Sequence, residues 1–361
     1  MPRYAMRRRD VIVLGGAAAA YALAPHAGRA AAPGWVDVHL HVVGGLQRQF
    51  AQAVDQAVAE MDAAEIAKAI VFPPPAPRLT FDYLAYASEL RRYPGRFGFL
   101  GGGGLLNSMI QQSASDGVTP DVRQRFVAVA EQMADAGAAG YGEIAVLHLS
   151  LMRNHPFEQV SPEHPLLLAL AETAGQRGLV IDLHMDPIIG EGPMRIPSGL
   201  RVPPNPPTVT GNVAGFERLL AHDRNAHIVW AHGGSDFTGN MTTALIDRLM
   251  DAHRNLYMSL RPVPPGVTAA ATVNLRLYNT IMTSSGIERR WLQLLEKYPD
   301  RFVLGSDSFI LPPSVPPDSP LIALSRGNRA RLSAANQLLA WLPKELARSV
   351  GELNAARLYR V

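Results

Sequence analysis

Two imidazoles and a carboxylate alternate in Val36-Asp37-Val38-His39-Leu40-His41. Successive side chains of an extended strand point to opposite faces, so Asp37, His39 and His41 share a face, spaced about 6.7 Å per pair. Two imidazoles on one face can converge on a single cation at the strand end. The pattern alone is weak, because eleven histidines in 361 residues would give roughly 0.3 His-x-His by chance. Companions strengthen it. Val180-Ile181-Asp182-Leu183-His184, Ile228-Val229-Trp230-Ala231-His232-Gly233-Gly234 and Val303-Leu304-Gly305-Ser306-Asp307 each set an imidazole or carboxylate directly after an apolar run. Burying such a group costs free energy unless it has a partner. Glu143 stands in a similar place, in Gly142-Glu143-Ile144. Cysteine is absent, so disulfides, thiolate sites and cysteine nucleophiles are excluded. Imidazole and carboxylate are the donors that zinc, manganese or iron accept without sulfur.

Residues so far apart in sequence can meet only if the strands carrying them end side by side. From Gly34 onward, β-branched apolar runs at 35–42, 69–72, 97–100, 140–146, 179–184, 227–231, 256–259 and 302–305 alternate with Ala/Leu-rich amphipathic stretches at 50–65, 121–136, 165–177, 216–222 and 290–298. Eight strands with helical spacers predict parallel βαβ units. Closed in a ring they make a (β/α)8 TIM-like barrel, whose sites lie at the C-terminal strand ends. A doubly wound open sheet is the rival, but no Gly-rich phosphate fingerprint follows the first strand. The glycines at 101–104 follow the third, and are read as backbone passing close to something at the barrel mouth. Two Pro-rich connections, 186–212 and 309–320, follow strand ends and are read as loops that shape a substrate site.

The composition is that of a globular chain, 47% hydrophobic and 18% charged. The net charge of +3 sits at one end: Arg3, Arg7, Arg8, Arg9 and Arg29 face only Asp10 in the first 32 residues, leaving 29 basic and 30 acidic residues beyond. A nucleic-acid partner is not expected, since the remainder offers no clustered basic surface. A charged start, an apolar run to Ala24 and Ala30-Ala31-Ala32 read as a cleavable export signal over 1–32. The run is too short for a stable membrane anchor. Arg8-Arg9-x-Val11-Ile12 resembles the twin-arginine (Tat) export signature, which implies the Tat machinery as a partner and a periplasmic or secreted protein.

Taken together, Asp-x-His-x-His, His184, His232 within Ala-His-Gly-Gly, and Gly305-Ser306-Asp307 resemble the amidohydrolase superfamily, closest to its amidohydrolase-related, metal-dependent hydrolase branch. The match runs from about Gly34 to the C-terminus, through Tyr298-Pro299-Asp300-Arg301-Phe302 and Gly351-Glu352-Leu353-Asn354-Ala355-Ala356-Arg357-Leu358-Tyr359. It implies one barrel domain over 33–361. It also implies that His39, His41, His184 and Asp307 touch metal, and that His232 is a second-metal ligand or a catalytic imidazole. Glu143 corresponds to a strand-four carboxylate that bridges two metals in some members. Others use a carboxylated lysine there, but Lys68, Lys297 and Lys344 lie elsewhere.

The implied activity is hydrolysis of a small-molecule amide, lactone or ester by a metal-activated water. One or two divalent ions would serve, zinc first, with manganese or iron as alternatives. Asp307 would move the water proton, and His232 would hydrogen-bond the developing oxyanion. The alternative is a metal-dependent decarboxylase of an aromatic or unsaturated acid. A periplasmic metal-dependent binding protein without turnover stands third. Asp37 is expected to orient a histidine. His148, His155, His164, His222, His227 and His253 are read as surface or capping groups, and the methionines as core filling. Arg195, Arg201 and Arg261 are candidates to receive a substrate carboxylate. The oligomeric state stays open, a homo-oligomer being compatible.

Overall fold

Apolar β-branched runs need burial on both faces, and eight of them find it by pairing in parallel beneath a layer of helices. The computed structural model describes residues 34–75, 81–151, 155–196, 198–201, 204–266 and 277–361. The export segment expected over 1–32 lies outside the described residues. The strands are β1 (Trp35–Val42), β2 (Ile66–Val71), β3 (Phe97–Phe99, running on as Gly101–Gly102) and β4 (Gly140–His148). They continue with β5 (Val180–Met185), β6 (His227–Gly233), β7 (Leu256–Leu260) and β8 (Phe302–Leu304, running on as Ser308–Ile310). Each pairs in parallel with the next, and the second half of β8 pairs with β1. The pairings form two parallel sheets that share the chain at β3 and β8, an arrangement consistent with the (β/α)8 expectation.

Helices wrap the ring: α1 (Phe50–Ala63), α2 (Pro120–Asp135), α3 (Pro165–Arg177), α4 (Val213–His222), α5 (Thr243–Ala252), α6 (Arg289–Lys297) and α7 (Asn328–Trp341). Local chemistry sets their ends. The α2 start has Pro120 in its first turn and a Thr119 side chain that accepts from the Val122 amide. At the α3 end Gly178 adopts φ 61°, a left-handed cap. No helix among the described residues is long and apolar enough to cross a membrane.

Two cores result. An outer one, between strands and helices, takes Leu40, Tyr141, Ile144, Leu183, Trp230 and Leu304. An inner one takes Val36, Val38, Ile70, Phe72, Leu100, Val180, Val229 and Val303, closed by Leu358 and Tyr359 of the C-terminal helix. Each such side chain contributes roughly 1.5–3 kcal/mol by leaving water. Membership of these cores reads out which way each strand position points.

The alternation breaks in three strands. In β1, Val36 and Val38 face inward while Leu40 faces outward, and the pairing with β2 shifts between Asp37 and Leu40. In β4, the register with β5 shifts between Tyr141 and Ile144, both of which face outward. In β6, the register with β7 shifts between Trp230 and Gly233. Strict alternation would send His39, Glu143 and His232 into the helical layer. The shifts re-aim them into the barrel, the role bulges play beside functional sites.

Candidate metal centre

At the C-terminal end of the ring six side chains converge: His39 and His41 from β1, Glu143 from β4, His184 from β5, His232 from β6, and Asp307 from between the halves of β8. All six expected ligands therefore come together. His39 and His41 are fully buried and Glu143 is 2% exposed, whereas His184 and Asp307 are each 9% exposed and mark the open side. His232 and Asp307 carry φ values of 69° and 51°, a left-handed backbone that non-glycine residues rarely adopt and that surrounding contacts must hold. Gly305 makes room for this closure, since a Cβ there would fall 2.7 Å from the Cβ of His39 and 2.5 Å from Ser259 Oγ.

Glu143 divides its carboxylate between two sides. Its Oε2 lies 3.4 Å from His39 Nε2 and 3.3 Å from His41 Nε2. Its Oε1 lies 2.7 Å from His184 Nδ1 and 3.2 Å from His232 Nε2. Asp307 Oδ1 reaches His41 Nε2 at 3.4 Å and His39 Nε2 at 3.8 Å, while its Oδ2 lies 3.1 Å from Arg261 Nη2. Three ligand groups result: His39, His41 and Glu143; Glu143, His184 and His232; and His39, His232 and Asp307, each with donor atoms within 4.8 Å of one another.

The electrostatics follow from crowding in a dry place. Burial opposes charge on Glu143, yet the His39 charge and the bonds from His184 and His232 hold its carboxyl well below the usual range. Burial also opposes charge on His39, but Asp182 and Glu143 hold that imidazole well above its ordinary value. His184 behaves likewise beside Asp186 and Glu143, and is raised to about 10. Burial pushes His232 down to about 3. Against burial, Arg261 and His232 hold Asp307 well below its ordinary value.

The donor set fits a divalent cation. His41 Nδ1 lies 2.9 Å from the Phe72 carbonyl, which can only accept, so Nδ1 carries a proton and Nε2 is the atom turned to the centre. His39 Nε2 and His41 Nε2 are buried without a hydrogen-bond partner, an arrangement that native interiors avoid unless something is to be bound. Imidazole and carboxylate together suit zinc, manganese or iron. A cleft of about 900 Å3 at the other end of the barrel, lined by Phe97, Ala139, Leu179 and Tyr359, contains none of these ligand groups.

Several sequence expectations need correction. Asp37 does not touch an imidazole. The shift in β1 turns it toward the β8 corner, where it accepts from the His39 and Ser306 amides at 3.1 and 2.9 Å and from Ser306 Oγ at 2.5 Å. The carboxylate beside the His39 ring is Asp182, 3.4 Å from Nδ1. Its position two residues before His184, on the same face, was the available signal. His148 and His155 are not surface groups: the His148 ring lies 4.5 Å from that of His184, and the His155 ring 4.5 Å from that of His148. Burial pushes His148 down to about 4. His164 does cap α3, accepting from the Leu166 amide, and His222 is an exposed partner of Glu172. Of the three arginines, only Arg261 reaches the centre, and it meets Asp307; Arg195 and Arg201 are exposed. The glycines at 101–104 wrap a side chain of the chain itself: Asp82 accepts from the Gly102, Gly104 and Leu105 amides at 2.8–3.2 Å.

No protein-family model matches the chain, and no curated protein does. Solved structures do. The L-hydantoinase (dihydropyrimidinase) from Arthrobacter aurescens is 14% identical with a TM-score of 0.51, over 91% of this chain and 71% of that one. The phosphotriesterase from Mycobacterium tuberculosis is 14% identical with a TM-score of 0.52, over 91% of this chain and 94% of that one. At such identities the likeness is one of fold.

Proposed function

We propose that this chain is a metal-dependent hydrolase of the amidohydrolase superfamily, acting on a small-molecule amide, lactone or ester. One observation carries the reading: Glu143 offers one oxygen to His39 and His41 and the other to His184 and His232, the layout of a carboxylate shared by two cations. The fold shared with a hydantoinase and a phosphotriesterase is compatible with it. These residues would hold a divalent cation, which would supply Lewis acidity and activate a water.

The rest falls to the chain. Arg261 ties down Asp307 Oδ2 and leaves Oδ1 to take a proton from the attacking water and return it to the leaving group. His232, neutral through burial, hydrogen-bonds the oxygen on which charge develops. Glu143 and the inner imidazoles hold their positions because each is buried and multiply contacted. Export through the twin-arginine route belongs to the same proposal and is carried by Arg8 and Arg9.

The test is turnover. Protein purified with its metal content measured is offered a panel of amides, lactones, esters and aromatic carboxylic acids, with acid release and CO2 monitored. Hydrolysis that disappears on chelation and returns with zinc or manganese supports the proposal. CO2 release without hydrolysis makes the protein a decarboxylase, and metal binding without any turnover makes it a binding protein.

A further inference from the structure

The backbone on either side of Glu143 is gripped by a loop that is itself gripped by one carboxylate. The ladder between β3 and β4 ends at Gly102 opposite Gly142. Gly102 adopts φ 110°, a conformation open to glycine, and the chain turns out of the sheet. Beyond the turn it reaches back to β4. The Gly103 amide donates to the Gly142 carbonyl at 2.9 Å. In the helix that follows, Leu106–Gln112, Asn107 accepts from the Ala145 amide at 3.0 Å and Gln111 donates to the Ala145 carbonyl at 2.8 Å. Glu143 lies between these anchored residues, and its own amide donates to the Pro73 carbonyl, just past β2, at 3.3 Å. The fit is tight: a Cβ on Gly103 would fall 2.3 Å from the Pro73 oxygen and 3.0 Å from the Glu143 nitrogen. Asp82 fixes the turn. Its side chain is buried; Oδ1 accepts from the Tyr83 and Gly102 amides at 2.7 and 2.9 Å, and Oδ2 from the Gly104 and Leu105 amides at 3.0 and 2.8 Å. Buried amides that lose such an acceptor are costly, so the loop must rearrange without it.

We infer that Asp82 is a positioning residue for the metal centre: by fixing the turn after β3 it fixes Gly103 and Asn107 against β4, and so sets the Glu143 carboxylate between the two pairs of imidazoles. Its bonds end on backbone amides of the loop, so it acts on the ligands only through Glu143. Outer partners of this kind hold a ligand in the one orientation that binds. The inference rests on the reading of Glu143 as a carboxylate shared by two cations. A brace that served the fold alone would, when removed, lower stability and leave metal uptake as it was.

Two measurements test it: zinc titrated into metal-free protein, and amide hydrogen exchange over residues 140–146 of the metal-free protein. Asp82→Ala should raise exchange over 140–146 and weaken uptake of the second zinc equivalent about tenfold or more. Asp82→Asn keeps one acceptor oxygen and should recover part of the loss; it carries the test if the alanine variant does not fold. Gly103→Ala should act in the same direction with Asp82 intact. The control is Asn255→Ala, which removes a brace just before β7, where Asn255 donates to the Leu220, Asp223 and Ala226 carbonyls. It should lower Tm yet leave zinc uptake and exchange over 140–146 as in wild type. Wild-type zinc affinity in both Asp82 variants, or a loss matched by Asn255→Ala, overturns the inference. A wild type that takes up a single equivalent ends the two-cation reading instead, and unchanged exchange over 140–146 in the Asp82 variants ends the inference whether or not that reading stands.

Discussion

His184 Nδ1 stands 2.7 Å from Glu143 Oε1, while the other oxygen of the same carboxylate lies 3.3 Å from His41 Nε2. A carboxylate so divided offsets the repulsion of two cations. Glu143→Gln keeps the shape and removes the charge, so it should shed one metal equivalent and keep the other. Elemental analysis of both proteins decides this. One equivalent in each would make the centre mononuclear, reduce Glu143 to a rim acid and favour the decarboxylase reading.

His184 and His232 should separate by role. His184→Ala removes an imidazole at the heart of one ligand group and should lower the bound metal. His232→Asn should retain at least one equivalent yet lose about 100-fold or more in kcat. Full activity in both variants would place the site elsewhere.

Arg261 is predicted to act through Asp307. Its Nη2 lies 3.1 Å from Asp307 Oδ2, and both side chains are only 12% exposed. Arg261→Gln should leave metal content intact and cost about 100-fold in kcat/KM. Arg261→Lys should recover only part, because an ammonium keeps the charge but not the planar fork. An unchanged kcat/KM in the Gln variant would remove Arg261 from the mechanism.

Stability should carry the mark of Glu158, a buried carboxyl outside the ligand groups. Burial raises its pKa from 4.5 to about 7, against the bond from Asn107. A carboxyl raised by folding imposes no cost below its unfolded value, and the cost grows with pH until it is complete above the folded value. The full penalty is about 3 kcal/mol. Glu158→Gln should therefore match wild type near pH 4 and gain in Tm as pH rises through 7. A Tm difference independent of pH contradicts this.

Export gives a prediction from sequence alone. Arg8→Lys with Arg9→Lys should strand the protein in the cytoplasm, since guanidinium and ammonium are not interchangeable in recognition. Undiminished periplasmic accumulation of the double variant would end the twin-arginine reading.

The eight strands were legible because a strand buried on both faces must be a short apolar run, and the expected runs overlap every barrel strand from β1 to β8. The ligand types were legible too, because His39, His41, His184, His232 and Asp307 are costly groups set at the ends of such runs. Their aim was not. Alternation is a local rule, whereas the shifts in β1, β4 and β6 exist only relative to neighbouring strands. Reading Asp37 on the face of His39 assumed an unbroken strand, and its actual partner, Ser306, is 269 residues away. Likewise nothing near residues 101–104 says that Asp82 fills the curve of glycines, and nothing near His148 and His155 says that the first packs on His184 and the second on the first. Side-chain identity and local burial are written residue by residue. Which oxygen of Glu143 meets which imidazole is decided only when eight strands assemble side by side and a register shift turns a side chain from the helices to the interior.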